Sequence, residues 1–340
     1  MKPVISKLIA FLCYWTGLDS LFYYINRRAK RIITFHNVIP EYLWPQGKRV
    51  GLIDSEESFR MKIRIIKKRF KIGTEINDPI TATITFDDGF KNQSEIAGRI
   101  LMEEGGLPAI VFVVGRLINN SDPSNALLVD RLLHWTQLAP NNTYALPCDC
   151  AVVKEFFLTE GNRQQIWQDI IWPSFCKDSL SKGENLWHVL DSQYPFSKIL
   201  SLCNPEYVRL RMTGITDIDI AELKEKGWIV GWHTVDHYPL SQLSKEEQIK
   251  EITSSPDYMK NVVFSFPYGE LDSVNEVSVV IARSVDYPFA VSNICSKNHL
   301  MCKHFLPRMM MDGNYYQCHM ELSGLMHFVK TGRRLPVFNL

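Results

Sequence analysis

Short apolar runs recur along the chain, each closed by a turn signal. They are RIITFH (31–36), TATITF (81–86), AIVFVV (109–114), WIVGWH (228–233), VVFSFP (262–267) and FAVSN (289–293). Their β-branched and aromatic residues run almost without interruption, the pattern of strands covered on both faces, as in parallel sheets. Helical stretches lie between them. After Gly89, NQSEIAGRILMEEGG sets Ile96, Ile100 and Leu101 at helical spacing and stops at two glycines. Thr216 with Asp219, and Ser244 with Glu247, have the spacing of capped helix starts, and Gly227 ends the first of these helices. This alternation predicts an α/β barrel or layered sheet. In such folds chemistry collects at the carboxyl ends of the strands. His36, the pair Asp87 and Asp88, His233, and Tyr268 after Pro267 all follow strand-like runs.

Two stretches depart from the alternation. Residues 117–213 are irregular and rich in tryptophan (Trp135, Trp167, Trp172 and Trp187), and read as one long, mostly helical insertion, a candidate lid. Those indoles could offer a stacking platform for sugar rings or could be ordinary core. Residues 1–30 hold LIAFLCYWTGLDSLFYYI (8–25), apolar apart from Asp19 and a few small polar residues, with Lys2 and Lys7 before it and RRAKR after it. No small-x-small cleavage site follows, which argues against a secretory signal. The run is just long enough to span a bilayer, but Asp19 near its middle would be costly there. Basic flanks suit a helix lying in a membrane interface. A helix packed on the protein's own core and a true span are the alternatives. The domain reading is therefore an N-terminal apolar helix (1–30) followed by a barrel (31–330) interrupted at 117–213.

Composition narrows the function. With 340 residues, 46% hydrophobic and 22% charged, the chain has globular composition and can bury a large core. A net charge of +1 and the lack of a basic stripe or binding motif exclude nucleic acid as a partner. Eight scattered cysteines form no CxxC pair and no disulfide framework, which fits reduced thiols in the cytoplasm. Cys148 and Cys150 could bind something or be loop residues.

The candidate chemistry lies in TFDDGF (85–90) and HTVDH (233–237). Histidines four apart would point from one face of a helical turn, and that spacing suits two imidazoles on one divalent metal. The zinc-peptidase pattern with this spacing has a glutamate beside the first histidine as base. Thr234 stands there, so a third ligand and a base must come from elsewhere. Asp87 and Asp88 can supply both: one carboxylate completes a two-His, one-carboxylate face, and the other is left as base. Each motif alone is weak, since DDG is usually a turn and HxxxH is seldom a metal site.

Together and in this order, TFDDGF, AIVFVVG, LKEKGWIVGWHTVDH and FSFPYG resemble the polysaccharide deacetylases, the NodB-like carbohydrate esterases. The likeness covers residues 30–115 and 214–315 and implies a distorted (β/α) barrel with fewer than eight repeats. It implies Asp87 as catalytic base and Asp88, His233 and His237 as metal ligands. It also implies the Tyr268 backbone N–H as oxyanion donor. The family's arginine before the proline motif is missing from FSFPYG; Arg308 in FLPRMMM is the candidate substitute, with a surface arginine as the alternative. No Leu-x-x-His motif supplies the general acid. IITFHNV instead resembles the opening of a permuted subgroup that includes poly-N-acetylglucosamine deacetylases, which makes His36 the acid, with His304 and His327 as fallbacks.

The resemblance thus implies a metal-dependent hydrolase that removes an N-acetyl group from an amino sugar in a polysaccharide or lipid-linked glycan. Zinc is the foremost metal, and cobalt, nickel, manganese and iron suit the same donors. A deformylase, and a barrel that binds carbohydrate without turnover, are the alternatives. The expected setting is the cytoplasmic face of the membrane, in cell-surface glycan biosynthesis, with an exported, membrane-anchored form as the alternative.

Overall fold

In the computed structural model, the described residues are 3–337 apart from 52, 77, 79, 147–153, 179, 261, 270, 271, 286, 288 and 293–305. Cys148, Cys150, Cys295, Cys302 and His304 lie outside them.

Eight parallel strands form one path. Its middle holds Arg31–Phe35, Thr81–Phe86, Ile110–Val113, Ile229–Trp232, Val263–Ser265 and Phe289–Ser292. These match the six apolar runs, and Lys71–Ile72 adds a short parallel partner to Thr81–Phe86. The two ends of the path are Leu306–Pro307, on Val291 and Ser292, and Met309–Met310, on Ile33 and Thr34. Only Arg308 separates these end strands in sequence. It marks the seam of a nearly closed barrel.

Both faces of this sheet are covered, which explains the unbroken apolar runs. Ile110 and Phe112 join Ile32, Val263, Val291 and Leu306 in one cluster, whereas Val111 and Val113 pack in another with Ile100, Leu101 and Leu223 of the outer helices. Successive side chains thus serve different cores. The outer helices start where capping chemistry places them. Thr216 and Ser244 close capping boxes with Asp219 and Glu247, and Gly227 adopts φ 79° beyond the first of these helices. The helix expected after Gly89 forms with a wide π turn at Gln93–Ala97.

Residues 117–213 contain helices Leu128–Leu138, Leu180–Gln193, Phe196–Ser201 and Pro205–Met212, and also an antiparallel hairpin, Asn142–Leu146 with Lys154–Leu158. The hairpin is absent from the sequence reading, because its strands are short and weakly alternating. Trp135 and Trp187 are buried in the insertion's own core with Leu132, Leu190 and Phe196, so these two indoles are structural. Trp172 is only half buried. The N-terminal run is two helices, Pro3–Trp15 and Leu18–Ile25, bent by 75° where Gly17 takes φ 76°. The pair packs along helix Tyr315–Ser323, and Asp19 turns inward to His319, 3.7 Å away.

The insertion's two ends are stitched backbone to backbone. Gly214 N–H donates to Asn120 O (2.9 Å), Asn119 N–H to Ile215 O (3.0 Å), and Ile215 N–H to Gly89 O (2.9 Å). A Cβ on Gly214 would fall 1.7 Å from Leu117 O, which backbone relaxation can relieve only by breaking this seam. Gly214→Ala should therefore lower stability by about 3 kcal/mol or more, measured by urea unfolding. An unchanged midpoint would show that the neck yields freely.

Candidate active site

The strand ends and the loops that follow them build the site. Asp87 and Asp88 leave strand Thr81–Phe86, and Asp88 takes φ 81° with Gly89 at 84°. Val114 N–H donates to Asp88 O at 3.0 Å, and a Cβ on Gly89 would meet Val113 Cγ1 at 2.7 Å, so only glycine lets this turn close. Four of the five non-glycine residues at positive φ among the described residues are Asp88, Thr234, His237 and Tyr268. Such strained backbone persists where surroundings over-determine it, and it clusters at functional sites.

His233 and His237 come together, but not on a helix. Strand Ile229–Trp232 ends just before His233, and the next residues form an irregular loop with Thr234 at φ 70° and His237 at φ 59°. The expectation of a helical turn is corrected: the two left-handed residues fold the loop back and bring the rings together. Glu251, buried on helix Lys245–Thr253, accepts from the Val235 and Asp236 N–H groups at 2.9 Å each and so caps the loop. His233 Nδ1–H donates to Ser265 O at 2.8 Å, and His237 Nδ1–H lies 3.1 Å from Tyr268 Oη, whose hydroxyl donates to the His237 carbonyl at 3.0 Å. Both rings therefore turn Nε2 inward, in the tautomer a metal ligand requires.

Asp88 Oδ1, His233 Nε2 and His237 Nε2 form a tripod. The two nitrogens are 3.2 Å apart, and they stand 3.8 Å and 3.3 Å from the oxygen. Tetrahedral zinc with bonds of about 2.1 Å places its ligand atoms about 3.4 Å apart, so the residues fit a divalent cation. The donor chemistry agrees, since acceptor atoms facing one another repel unless a positive charge lies among them. Burial pushes the Asp88 carboxyl well above the usual range, with the Asp130 and Asp87 charges adding to it. Burial also holds the His233 ring down to about 4, against the opposing pull of Asp87, and lowers His237 further below the ordinary imidazole value. Neutral imidazoles are what a metal needs.

Asp87 has a different setting. Arg308 grips it with both arms, Nη1 to Oδ1 at 2.7 Å and Nη2 to Oδ2 at 2.5 Å. Burial alone would raise this carboxyl, but the Arg308 charge and hydrogen bonds, with His233 and His36 nearby, hold it well below the carboxylate range. His36 Nε2 stands 3.9 Å from Asp87 Oδ2. Burial lowers the His36 ring, and the Asp87 charge opposes that. Tyr268 sits at φ 59°, its ring flanked by Trp172 and Phe175 of the insertion at 5.4 Å and 5.7 Å between centroids. All seven residues singled out from the sequence thus meet in one place. His327 is on helix Leu325–Thr331 and lines a cavity together with Met309, Met310 and Glu321.

Several supporting residues escaped the sequence reading. Gln93 Nε2 donates to His36 O at 2.6 Å and also to Asp87 O, while Asn92 Nδ2 donates to Asn37 Oδ1 at 2.8 Å and to Leu210 O at 2.9 Å. These amides lock the His36 and Asp87 loops to each other and to the insertion. Their signal was present: two amides directly after DDGFK, in a run that must be buried. Arg211 and Asp130, a buried pair at 2.5 Å contributed by the insertion, had no such signal.

The Arg308 clamp has a pH signature. Asp87 can act as a base only when ionised, so activity requires a pH above its own pKa. Arg308→Met removes the main lowering influence and leaves burial to raise that pKa. The acid limb of the pH–activity profile should then move upward by about one pH unit or more, and Arg308→Lys should fall between. An acid limb unmoved in Arg308→Met would refute the clamp.

Residues 211–290 match the profile of the polysaccharide deacetylase family. No curated protein matches the chain. Among solved structures, BA0330 from Bacillus anthracis, assigned as a polysaccharide deacetylase, aligns with a TM-score of 0.50 at 11% identity, over 86% of this chain and 68% of that one. IcaB from Ammonifex degensii aligns at 0.49 and 12% identity, over 87% and 97%. The Streptococcus pyogenes deacetylase PplD, in complex with acetate, gives 0.48 and 14%, over 88% and 97%. At these identities, the BA0330 likeness supports the barrel fold and says nothing of substrate. The polysaccharide deacetylase resemblance read from the sequence is borne out by the family match, which falls on the segment carrying His233, His237 and Tyr268.

Proposed function

We propose that this protein is a metal-dependent sugar N-deacetylase acting on an N-acetylated amino sugar of a polysaccharide or lipid-linked glycan. The observation that carries the reading is the Asp88–His233–His237 tripod, with edges of 3.2 to 3.8 Å, set beside an Asp87 that Arg308 keeps ionised. The family match supports the same class of reaction.

Asp88, His233 and His237 would hold a divalent cation, which when bound would supply Lewis-acid chemistry toward water and the acyl carbonyl. Asp87 takes the proton of the attacking water as the new C–O bond forms. The backbone N–H of Tyr268 is the assigned donor to the oxyanion. His36, in its protonated form, gives a proton to the departing nitrogen, because an amide nitrogen leaves poorly as an anion. The C–N bond then breaks, and acetate and a free amino sugar are released. The half-buried Tyr268 ring packs against Trp172 and Phe175, and half-buried Trp172 is the insertion indole best placed to meet a sugar ring.

The setting proposed is the cytoplasmic face of a membrane, where lipid-linked glycans are assembled. Free thiols at Cys13, Cys203 and Cys318 fit a reducing compartment.

Asp87→Asn should keep its metal, measured by elemental analysis, and lose about a hundredfold or more in acetate release from N-acetylglucosamine oligomers. His233→Ala should lose both. Full activity in Asp87→Asn would remove Asp87 as base. Glycans from cells with and without the protein should differ in mass by one acetyl group on one sugar; a formyl difference would change the acyl group assigned.

A further inference from the structure

The N-terminal helix pair presents a face that the barrel does not use. One side of helix Pro3–Trp15 is buried against Tyr315 and Tyr316: Ala10 is fully covered and the Tyr14 ring meets the Tyr315 ring at 5.6 Å. The opposite side exposes Leu8 (58%), Leu12 (51%) and Trp15 (67%), one helical stripe at i, i+4 and i+7. Leu21 and Tyr24 extend it along Leu18–Ile25. The Phe22 and Phe328 rings touch at 5.1 Å, which joins this face to exposed Phe328 and Val329 on helix Leu325–Thr331.

The charge around the patch is mostly of one sign, the exception being Glu321, which pairs with Lys330 at 3.4 Å. Lys7, Arg27, Arg28, Lys330 and Arg334 are exposed at its edges. Over residues 5–28 and 325–337 the sequence holds a single acid, Asp19, and that side chain is buried at 1% exposure beside His319. The acid that argued against a membrane span is therefore turned into the protein, away from the exposed face.

We propose that this face docks, in plane, on an anionic lipid surface. A second copy of the chain is the competing occupant, and electrostatics disfavours it: an isologous contact sets each patch against itself, cation against cation. Anionic headgroups meet the same cations as counterions. A crossing helix is also disfavoured. The helices have 13 and 8 residues, roughly 20 and 12 Å, against a hydrocarbon core of about 30 Å, and the bend between them is 75°. Trp15 and Tyr24 suit the headgroup level, where amphipathic rings settle. The inference is independent of the sugar chemistry, and holds whether or not the barrel is a deacetylase.

The test is sedimentation of the full chain with vesicles of phosphatidylcholine alone, or with one part in three phosphatidylglycerol. The protein should pellet with the anionic vesicles, and added salt should release it. Two variants separate the parts: Leu12→Asp with Trp15→Asp removes the apolar stripe, and Lys7→Gln with Arg28→Gln and Arg334→Gln removes edge charge. Each should weaken vesicle binding about tenfold or more, with the unfolding midpoint unchanged because the replaced side chains are exposed. Equal binding by parent and both variants would overturn the proposal. So would a dimer in light scattering that the Leu12→Asp, Trp15→Asp variant splits, with no pelleting of the parent.

Discussion

The pairing of Arg308 with Asp87 is the interaction on which the rest of the site depends. Arg308 sits between the two end strands of the sheet, so the residue that closes the barrel is also the one that fixes its buried carboxylate. A carboxylate buried to this degree is costly unless a charge partner and hydrogen bonds satisfy it. Without the guanidinium fork, burial would drive Asp87 toward its neutral form, beside an Asp88 that burial already pushes upward. Closing the seam therefore sets the charge state of the site.

That constraint explains why two neighbouring acids behave differently. Asp87 faces Arg308 and His36, while Asp88, turned through φ 81°, faces the two imidazoles. One peptide unit with left-handed geometry separates the two environments. The turn is held by Gly89, by Val114 reaching back to Asp88, and by Gln93 and Asn92 tying the first two strand ends together. On the far side, Glu251 does for the His233–His237 loop what Asn92 and Gln93 do for the acidic turn. Each half of the site is fixed by buried polar side chains that touch backbone rather than substrate.

The insertion is more than an appendage of this barrel. Its neck is hydrogen-bonded to Gly89, its helix Pro205–Met212 receives the Asn92 amide, and Trp172 and Phe175 flank Tyr268. It has its own core around Trp135, yet its inner edge shapes the mouth of the site. A barrel can vary such an element to change what reaches the same Asp88–His233–His237 tripod.

The sequence by itself determined six of the barrel strands, the capped helices and six of the seven residues that meet at the site. The physical reason is locality: strands covered on both faces leave long apolar runs, and the polar residue that ends each run falls at the carboxyl edge where such folds place chemistry. Only tertiary structure decided the rest. HTVDH looked like a helical turn, because spacing alone cannot reveal that Thr234 and His237 adopt left-handed backbone. Arg308 was a candidate with a surface arginine as the alternative, and the closing of the sheet brought it 221 residues back along the chain to Asp87. The direction in which Asp19 points, and with it the character of the N-terminal face, depended on a helix near the opposite end of the chain. Contacts between residues far apart in sequence leave no periodic trace, and these are the contacts that gave the site its charge.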